Sequence, residues 1–408
     1  MRIQQSESRR SHHMPAIPQP ANPSVAFVST YPPAICGLAT FTASLRAAFA
    51  RTRGSDRGLG VVALDEERRR DAGGDEVIAL MDPGDPWSVR SAAERVAGYD
   101  AVVLQHEYGI WGQDMGVAVL DFVNRLDNQV ITTLHTLLTE PTSMQRRIVE
   151  GLARRSDFTV VPTKSARNLL LRSYSMDPRS VAVVPHGTRH RKRPGLPFAG
   201  PDRDERPLLL TWGLIGPGKG IETALEAVAI LRRSHPDVLY TIAGRTHPKV
   251  LAREGEAYRR RLETMVHDLG IETNVEFVDS YLSDEQLDAL LLDAGVVILP
   301  YDSTEQMVSG VLVEAVSAHV PVAATEFPHA RELAEVGAVA TAPHRDPEPM
   351  ARAVSTLLGS PQARREMIRA QRAVAAELDW DVVARGYEAL IERAVLETSV
   401  MSHVSTAS

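Results

Sequence analysis

Three glycine-bearing turns and two histidines are the residues of this chain whose types and spacing could do chemistry. The first turn reads Trp212-Gly213-Leu214-Ile215-Gly216-Pro217-Gly218-Lys219-Gly220-Ile221-Glu222, between an apolar run and a helical pattern. Glycines let backbone N–H groups come close to an anion, and the N-terminus of the following helix favours negative charge. Lys219 adds a compact positive charge suited to a phosphate. The spacing Gly213-x-x-x-x-Gly218-Lys219 also matches a P-loop. Gly220, however, stands where a P-loop carries the Ser/Thr hydroxyl that holds magnesium. The plain alternative is a glycine-rich βα turn with an exposed lysine.

The second turn, Tyr31-Pro-Pro-Ala-Ile-Cys36-Gly37-Leu-Ala-Thr40, links the first apolar run to the first helical pattern. Gly37 can bring backbone close to a phosphate or an acceptor. Cys36 reads as a small residue filling a tight turn, with a nucleophile at a helix start as the alternative. The third turn runs from Pro300 through Glu305, Gln306, Ser309 and Gly310 to Glu314. Glu314 falls on the same helix face as Gly310, where a carboxylate can bind the vicinal hydroxyls of a ribose. A solvated helix glutamate is the alternative. His106, followed by Glu107, and His135 end two apolar runs. A lone histidine is usually structural, but two at the carboxyl ends of neighbouring parallel strands are expected to face a cleft. Neither has metal-ligand spacing, and no D-x-D motif lies between them.

The elements that must position these residues are legible from patterning. Strands are expected at Val25–Val28, Gly60–Leu64, Ala101–Leu104, Val130–Leu134, Phe158–Val161 and Val181–Val184, with amphipathic segments between them. After a Pro- and Gly-rich stretch holding the basic run from Arg189 to Arg193, alternation restarts at Leu208–Thr211, Leu239–Ala243, Val275–Val278, Val296–Leu299 and Pro321–Ala324. Strand–helix alternation implies parallel sheets covered on both faces, and ligands then sit outside the carboxyl ends of the strands. The expected division is a disordered tail over 1–20, an acceptor-side domain over 21–190, a linker over 191–206, and a nucleotide-binding domain over 207–378. A terminal helix follows over 379–397, N-capped by Asp379, and a second disordered tail over 398–408.

The 408 residues carry one cysteine, 44% hydrophobic and 24% charged residues, and a formal net charge of −7. The single cysteine excludes an intrachain disulfide, and the negative balance makes nucleic acid an unexpected partner. No apolar run approaches the ~20 residues needed to span a bilayer, so a cytoplasmic protein is expected. Arg146, Arg147, Arg154 and Arg155 share one face of a predicted helix. That face is either simply solvated or a peripheral contact with an anionic inner membrane surface.

Taken in order, the motifs resemble family 4 of the glycosyltransferases, which have the GT-B fold of two facing Rossmann-like domains. The resemblance rests on the Pro32-Pro33-x-x-x-Gly37 loop, Leu134-His135-Thr136, Val184-Pro185-His186-Gly187 and the Lys219-Gly220 loop. It continues through Ile242-Ala243-Gly244, the run from Ala294 to Pro300, Glu314-Ala315 and Pro321-Val-Ala-Ala-Thr325. It implies metal-independent, retaining transfer of a hexosyl group from a nucleoside-diphosphate sugar, GDP-mannose or a UDP-sugar. The implied acceptor is a glycan or lipid-linked molecule of the cell-envelope polysaccharide kind, and no cofactor is implied. Lys219 would neutralise the diphosphate, with Gly213, Gly218, Ser309 and Gly310 around the donor and Gly37 opposite. Glu314 would hold the ribose, His135 would touch the sugar, and His106 and Glu107 would lie toward the acceptor. Two positions depart from the pattern. Leu214 replaces an arginine, and Gln306 replaces the first carboxylate of Glu-x7-Glu, with Glu305 one residue off. Arg245 is the candidate replacement for the missing positive charge. The competing readings are a non-catalytic sugar-nucleotide-binding scaffold, a GT-B epimerase or phosphorylase, and, more distantly, a P-loop nucleotidase.

Overall fold

The central apolar runs form strands that are buried on both sides, the condition that lets a strand drop the alternation of a half-exposed one. The computed structural model describes residues 22–65, 74–189 and 206–406. The first sheet comprises β1 (Val25–Ser29), β2 (Leu59–Leu64), β3 (Val77–Met81), β4 (Ala101–His106), β5 (Gln129–Leu134), β6 (Phe158–Val161) and β7 (Val181–Val183). All seven are parallel, in the order β3-β2-β1-β4-β5-β6-β7. Helices α1 (Gly37–Arg53), α2 (Pro86–Val96), α3 (Ala118–Val123), α4 (Ser143–Arg155) and α5 (Lys164–Ser173) connect them.

The second sheet holds β8 (Leu208–Trp212), β9 (Leu239–Ala243), β10 (Val275–Val278), β11 (Ala294–Leu299), β12 (Val322–Thr325) and β13 (Ala340–Ala342), in the order β10-β9-β8-β11-β12-β13. Its helices are α6 (Ile221–Leu231), α7 (Pro248–Glu254), α8 (Ala257–Asp268), α9 (Asp284–Asp293), α10 (Gly310–Ser317), α11 (Pro328–Glu335), α12 (Pro347–Gly359) and α13 (Pro361–Ala375). Two doubly wound parallel sheets are thus present, as the alternation implies. Each reverses its winding once, between β1 and β4 and between β8 and β11. A ligand crevice opens at such a reversal, outside the carboxyl ends of the strands. The loops that leave β1, β8 and β11 are the three glycine-bearing turns, and His106 ends β4.

The last helix, α14 (Trp380–Thr406), packs on the first domain, not the second. Val383, Ala384, Tyr387, Ile391 and Ala394 form the helical stripe buried against α1 and the first sheet. Burying each large member contributes about 1.5–3 kcal/mol relative to exposure. The Tyr387 hydroxyl meets Thr133 Oγ1 at 2.8 Å, and Arg53 pairs with Glu388 at 2.8 Å. The two connections between domains run side by side. Thr188 N donates to Leu378 O at 2.7 Å and Trp380 N to Thr188 O at 3.3 Å. Gly187 is required there, because a Cβ on it would lie 2.2 Å from the Trp380 ring. Asp379 caps the helix as expected, accepting from Asp381 N at 2.8 Å.

The expected second tail, 398–408, is corrected in part: the helix continues to Thr406. No proline or glycine follows Gly386 to stop it, and Thr398 still reaches Gln129 of the first sheet at 3.2 Å. The tail expected over 1–20 and the linker up to residue 205 lie outside the described residues. Arg206, the last linker residue, is docked on the second domain through the carbonyls of Asp237 and Thr273.

Candidate functional site

The loop after β8 is built to approach the loop after β11. Gly213, Gly218 and Gly220 adopt φ of +116°, +87° and +63°, which only glycine enters freely. Asp302 N donates to Gly218 O at 3.0 Å, and the Lys219 ammonium lies 4.5 Å from the centre of the Tyr301 ring. Val311, in the first turn of α10, is 3.7 Å from the position a Cβ would take on Gly213. The glycine-rich turn and the N-terminus of α10 therefore form one wall. Ser309 caps α10, its Oγ accepting from Leu312 N at 3.2 Å, and Glu314 sits half-buried one turn further on. Ile215 bridges to Thr246, which sets Arg245 beside Leu214. The arginine side chain is exposed. His247 lies near both Lys219 and Lys249. Burial first, then those two cations, holds its pKa below the ordinary value.

The opposite wall comes from the first domain. Cys36 turns out to be the N-cap of α1, its sulfur accepting from Ala39 N at 3.4 Å and meeting Thr30 Oγ1 at 3.2 Å. Gly37 opens the helix with nothing within 4 Å of where a Cβ would be. One turn on, Phe41 stacks edge-on against His135 at 4.9 Å, His186 at 5.0 Å and Trp380 at 5.0 Å. His186 Nε2 is in turn 3.3 Å from the Cβ position of Gly310. Gly37, His135 and Gly310, which sequence alone could not connect, are joined through Phe41 and His186. The only sequence signal for His186 was its place in Val-Pro-His-Gly before the linker.

His106 does not share this wall. Side chains alternate along β4: Val102 and Leu104 join the cluster under α2 and α3, while Ala101 and Val103 join the one under α1 and α14. His106 therefore points to the face opposite His135. It is fully buried beside the Tyr108 ring at 5.0 Å, with both ring nitrogens unpaired. The expectation that both histidines face the cleft fails on this parity. Glu107 does lie at the edge, accepting from Tyr108 N at 3.0 Å and from the Thr136 hydroxyl. Burial raises its pKa, while Lys249 of the second domain pulls it down.

Gln306 spends its amide N–H on Val308 O within its own loop. Glu305 turns to the first domain, accepting from Thr139 N at 3.1 Å and from the Thr139 hydroxyl. The basic face of α4 is also reduced. Arg146 lies over Tyr174 and donates to Ser173 O, and Arg155 donates to the carbonyls of Leu126 and Asn128. Only Arg147 and Arg154 of the four remain fully exposed. Among the described residues, no group of three or more His, Cys, Asp or Glu is arranged to hold a metal ion. No described helix is long and apolar enough to cross a membrane.

Burial strongly favours the neutral form of four of the described imidazoles. Burial, aided at His135 by His186 and His106, pushes His135 and His106 down to about 3. Burial likewise pushes His186 and His329 down to about 4. The Gly187 carbonyl accepts from His186 Nδ1 at 2.7 Å, which leaves the Nε2 lone pair free for the cleft. A group with its folded pKa below the unfolded value of about 6.5 gains a proton on unfolding. Stability is therefore complete above pH ~6.5 and falls as pH drops toward 4, by at most about 1.4 kcal/mol per histidine per pH unit. Glu107 works in the opposite sense. Urea unfolding at pH 7.5 and 5.5 checks this: a clear loss at 5.5 is expected, and equal midpoints would mean that the imidazoles are solvated.

Comparison with known proteins agrees with this fold. Residues 193–374 match the family model of glycosyl transferases group 1, and residues 64–192 match that of glycosyltransferase family 4. An alpha-D-kanosaminyltransferase of Streptomyces kanamyceticus is 31% identical over 166 residues, 40% of this chain and 39% of the relative. A D-inositol 3-phosphate glycosyltransferase of Segniliparus rotundus is 28% identical over 304 residues, 70% of this chain and 64% of the relative. The chain thus matches less than two thirds of the length of either curated relative. The crystal structure of Anabaena Alr3699/HepE in complex with UDP superposes with a TM-score of 0.70 at 16% identity, covering 91% of this chain and 100% of that one. The two matches together span residues 64–374, across both sheets: the chain belongs to the family 4 glycosyltransferases, glycosyl transferases group 1, with the GT-B fold.

Proposed function

We propose that the chain transfers a hexosyl group from a nucleoside-diphosphate sugar to a hydroxyl acceptor, with retention and without a metal. One observation carries the reading. The glycine-rich turn with Lys219 and the N-terminus of α10 meet in a single wall, opposite Gly37, His135 and His186. Lys219, Arg245 and the backbone N–H groups of that wall supply the positive charge that a diphosphate needs. Glu314 takes the ribose hydroxyls, and Ser309 and Gly310 lie against the phosphates. His135 faces the sugar. The acceptor oxygen forms its bond to the anomeric carbon on the face from which the diphosphate leaves. Its proton passes to the departing phosphate oxygen, giving glycoside and nucleoside diphosphate. Positioning and electrostatics then supply most of the acceleration.

Supporting a nucleotide-sugar donor, a structural neighbour is a complex with UDP-glucose. The acceptor is proposed to be a glycan or lipid-linked molecule entering beside Glu107, with Arg147 and Arg154 the remaining points of contact for an anionic membrane. The turned-away amide of Gln306 favours a second reading, a scaffold that binds donor without turnover.

Calorimetric titration with UDP, GDP, ADP and their glucose and mannose derivatives, with and without EDTA, tests the donor. NMR of the product anomer tests the stereochemistry. One nucleotide is expected to bind on the order of micromolar, within the usual range for substrates, and to do so equally in EDTA. Binding lost in EDTA would overturn metal independence, and an inverted anomer would overturn retention. Binding without transfer to any acceptor would leave the scaffold reading, and no binding at all would end both.

A further inference from the structure

We infer that Glu305 and Met307 are positioning residues: they clasp the loop between β11 and α10 to the first domain and so set the α10 N-terminus against the donor. The loop is fixed from both sides. On its own domain, Ser309 N donates to His329 Nδ1 at 3.1 Å and Thr325 Oγ1 to Tyr301 O at 2.6 Å. From the other domain, Thr139 gives both its backbone N–H and its hydroxyl to one oxygen of Glu305. Thr163, the N-cap of α5, donates to Met307 O at 3.2 Å while accepting from Ala166 N at 3.0 Å. The Met307 side chain is 7% exposed and belongs to the buried cluster of the first domain, with Leu134, Leu137 and Tyr174. One side chain of the second domain is thus part of the core of the first.

A further tie runs through α11, which carries His329. Its Glu332 accepts from Lys164 N at 3.1 Å, Ser165 N at 2.9 Å and Ser165 Oγ at 2.8 Å, at the N-terminus of α5. The loop that ends in the Ser309 cap is therefore placed in part by contacts that exist only when the two domains are together. Glu305, one residue from the position where the family pattern has a sugar-binding carboxylate, is committed to the opposite domain. Its consequence for turnover rests on the transferase reading; the clasp itself does not.

The test uses the full chain with Glu305→Ala, Glu305→Gln, Thr139→Ala and the Glu305→Ala/Thr139→Ala pair. Misplacing a positioning loop by a fraction of an ångström is expected to lower kcat by about tenfold or more. Nucleotide affinity is expected to fall less than kcat, because Lys219 stands on the turn after β8, outside the clasp. Glu305→Gln keeps an accepting oxygen and is expected to recover most of the rate, and the pair is expected to be no slower than either single variant. A kcat for Glu305→Ala within twofold of native, an equal loss in affinity and kcat, or multiplying effects in the pair would overturn the inference. If the native chain transfers nothing, the transferase reading fails on its own. Solution X-ray scattering then decides the clasp: a larger radius of gyration for the pair supports it, and an unchanged one overturns it.

Discussion

Alanine at position 219 is expected to cut glycosyl transfer by about 100- to 1000-fold, the usual loss when one preorganised charge-stabilising donor is removed. Lys219 is half-buried on the turn after β8, over the face of Tyr301, and makes no ion pair with any described residue. A cation held by an aromatic face and left without a carboxylate has its charge available to an incoming anion. Stability is expected to fall by only about 0.5–1 kcal/mol, the usual worth of a cation over an aromatic face. Lys219→Met separates stem from charge. It keeps apolar contact with Tyr301 and should be as slow as alanine. Steady-state kinetics and calorimetry on both variants make the measurement. Activity within threefold of native in Lys219→Met would show that the charge is not what the site uses, and the plain exposed-lysine reading of the turn would stand.

The sequence disclosed what is local. Both sheets follow from the spacing of apolar runs, because a parallel strand covered on two faces needs an unbroken one. β3 was missed because as an edge strand it is mostly half-exposed, and β13 because Ala340-Thr341-Ala342 is short and weak in β preference. The wall made by Gly213, Lys219 and Gly310 was legible for the same reason: each motif spans one strand, one turn and one helix start. His106 was misassigned because reading which face it takes requires the strand register, in which it pairs with Leu134 and not with His135. The four arginines of α4 do share a helix, but two are consumed by carbonyls at the end of α5 and in the loop before β5 that no helix periodicity reveals. Nor could spacing show that His186 reaches Gly310, or that Glu305 belongs to Thr139. Those partners are separated by more than a hundred residues of chain and meet only when the domains do.

Serine at position 220 is expected to destabilise the second domain by more than about 3 kcal/mol, a loss that strain added to overpacking against fixed backbone can reach. The substitution would complete a P-loop signature on paper. In the fold, Gly220 has φ +63°, and a Cβ there would lie 1.8 Å from the Pro300 carbonyl oxygen and 2.8 Å from its carbon. The left-handed conformation alone would cost an L-residue roughly 1–2 kcal/mol, so the clash is the larger effect. Gly218 supplies the control: its φ is +87°, but nothing stands within 4 Å of its Cβ position, so Gly218→Ala should show the conformational cost alone. Denaturant unfolding of the two variants separates these contributions. No magnesium-dependent ATP hydrolysis is expected from Gly220→Ser. A stably folded variant that gained it would revive the nucleotidase reading. Otherwise Gly220 is glycine so that the turns after β8 and β11 can touch, and that touch brings the turn that carries Lys219 against the loop that leads into α10.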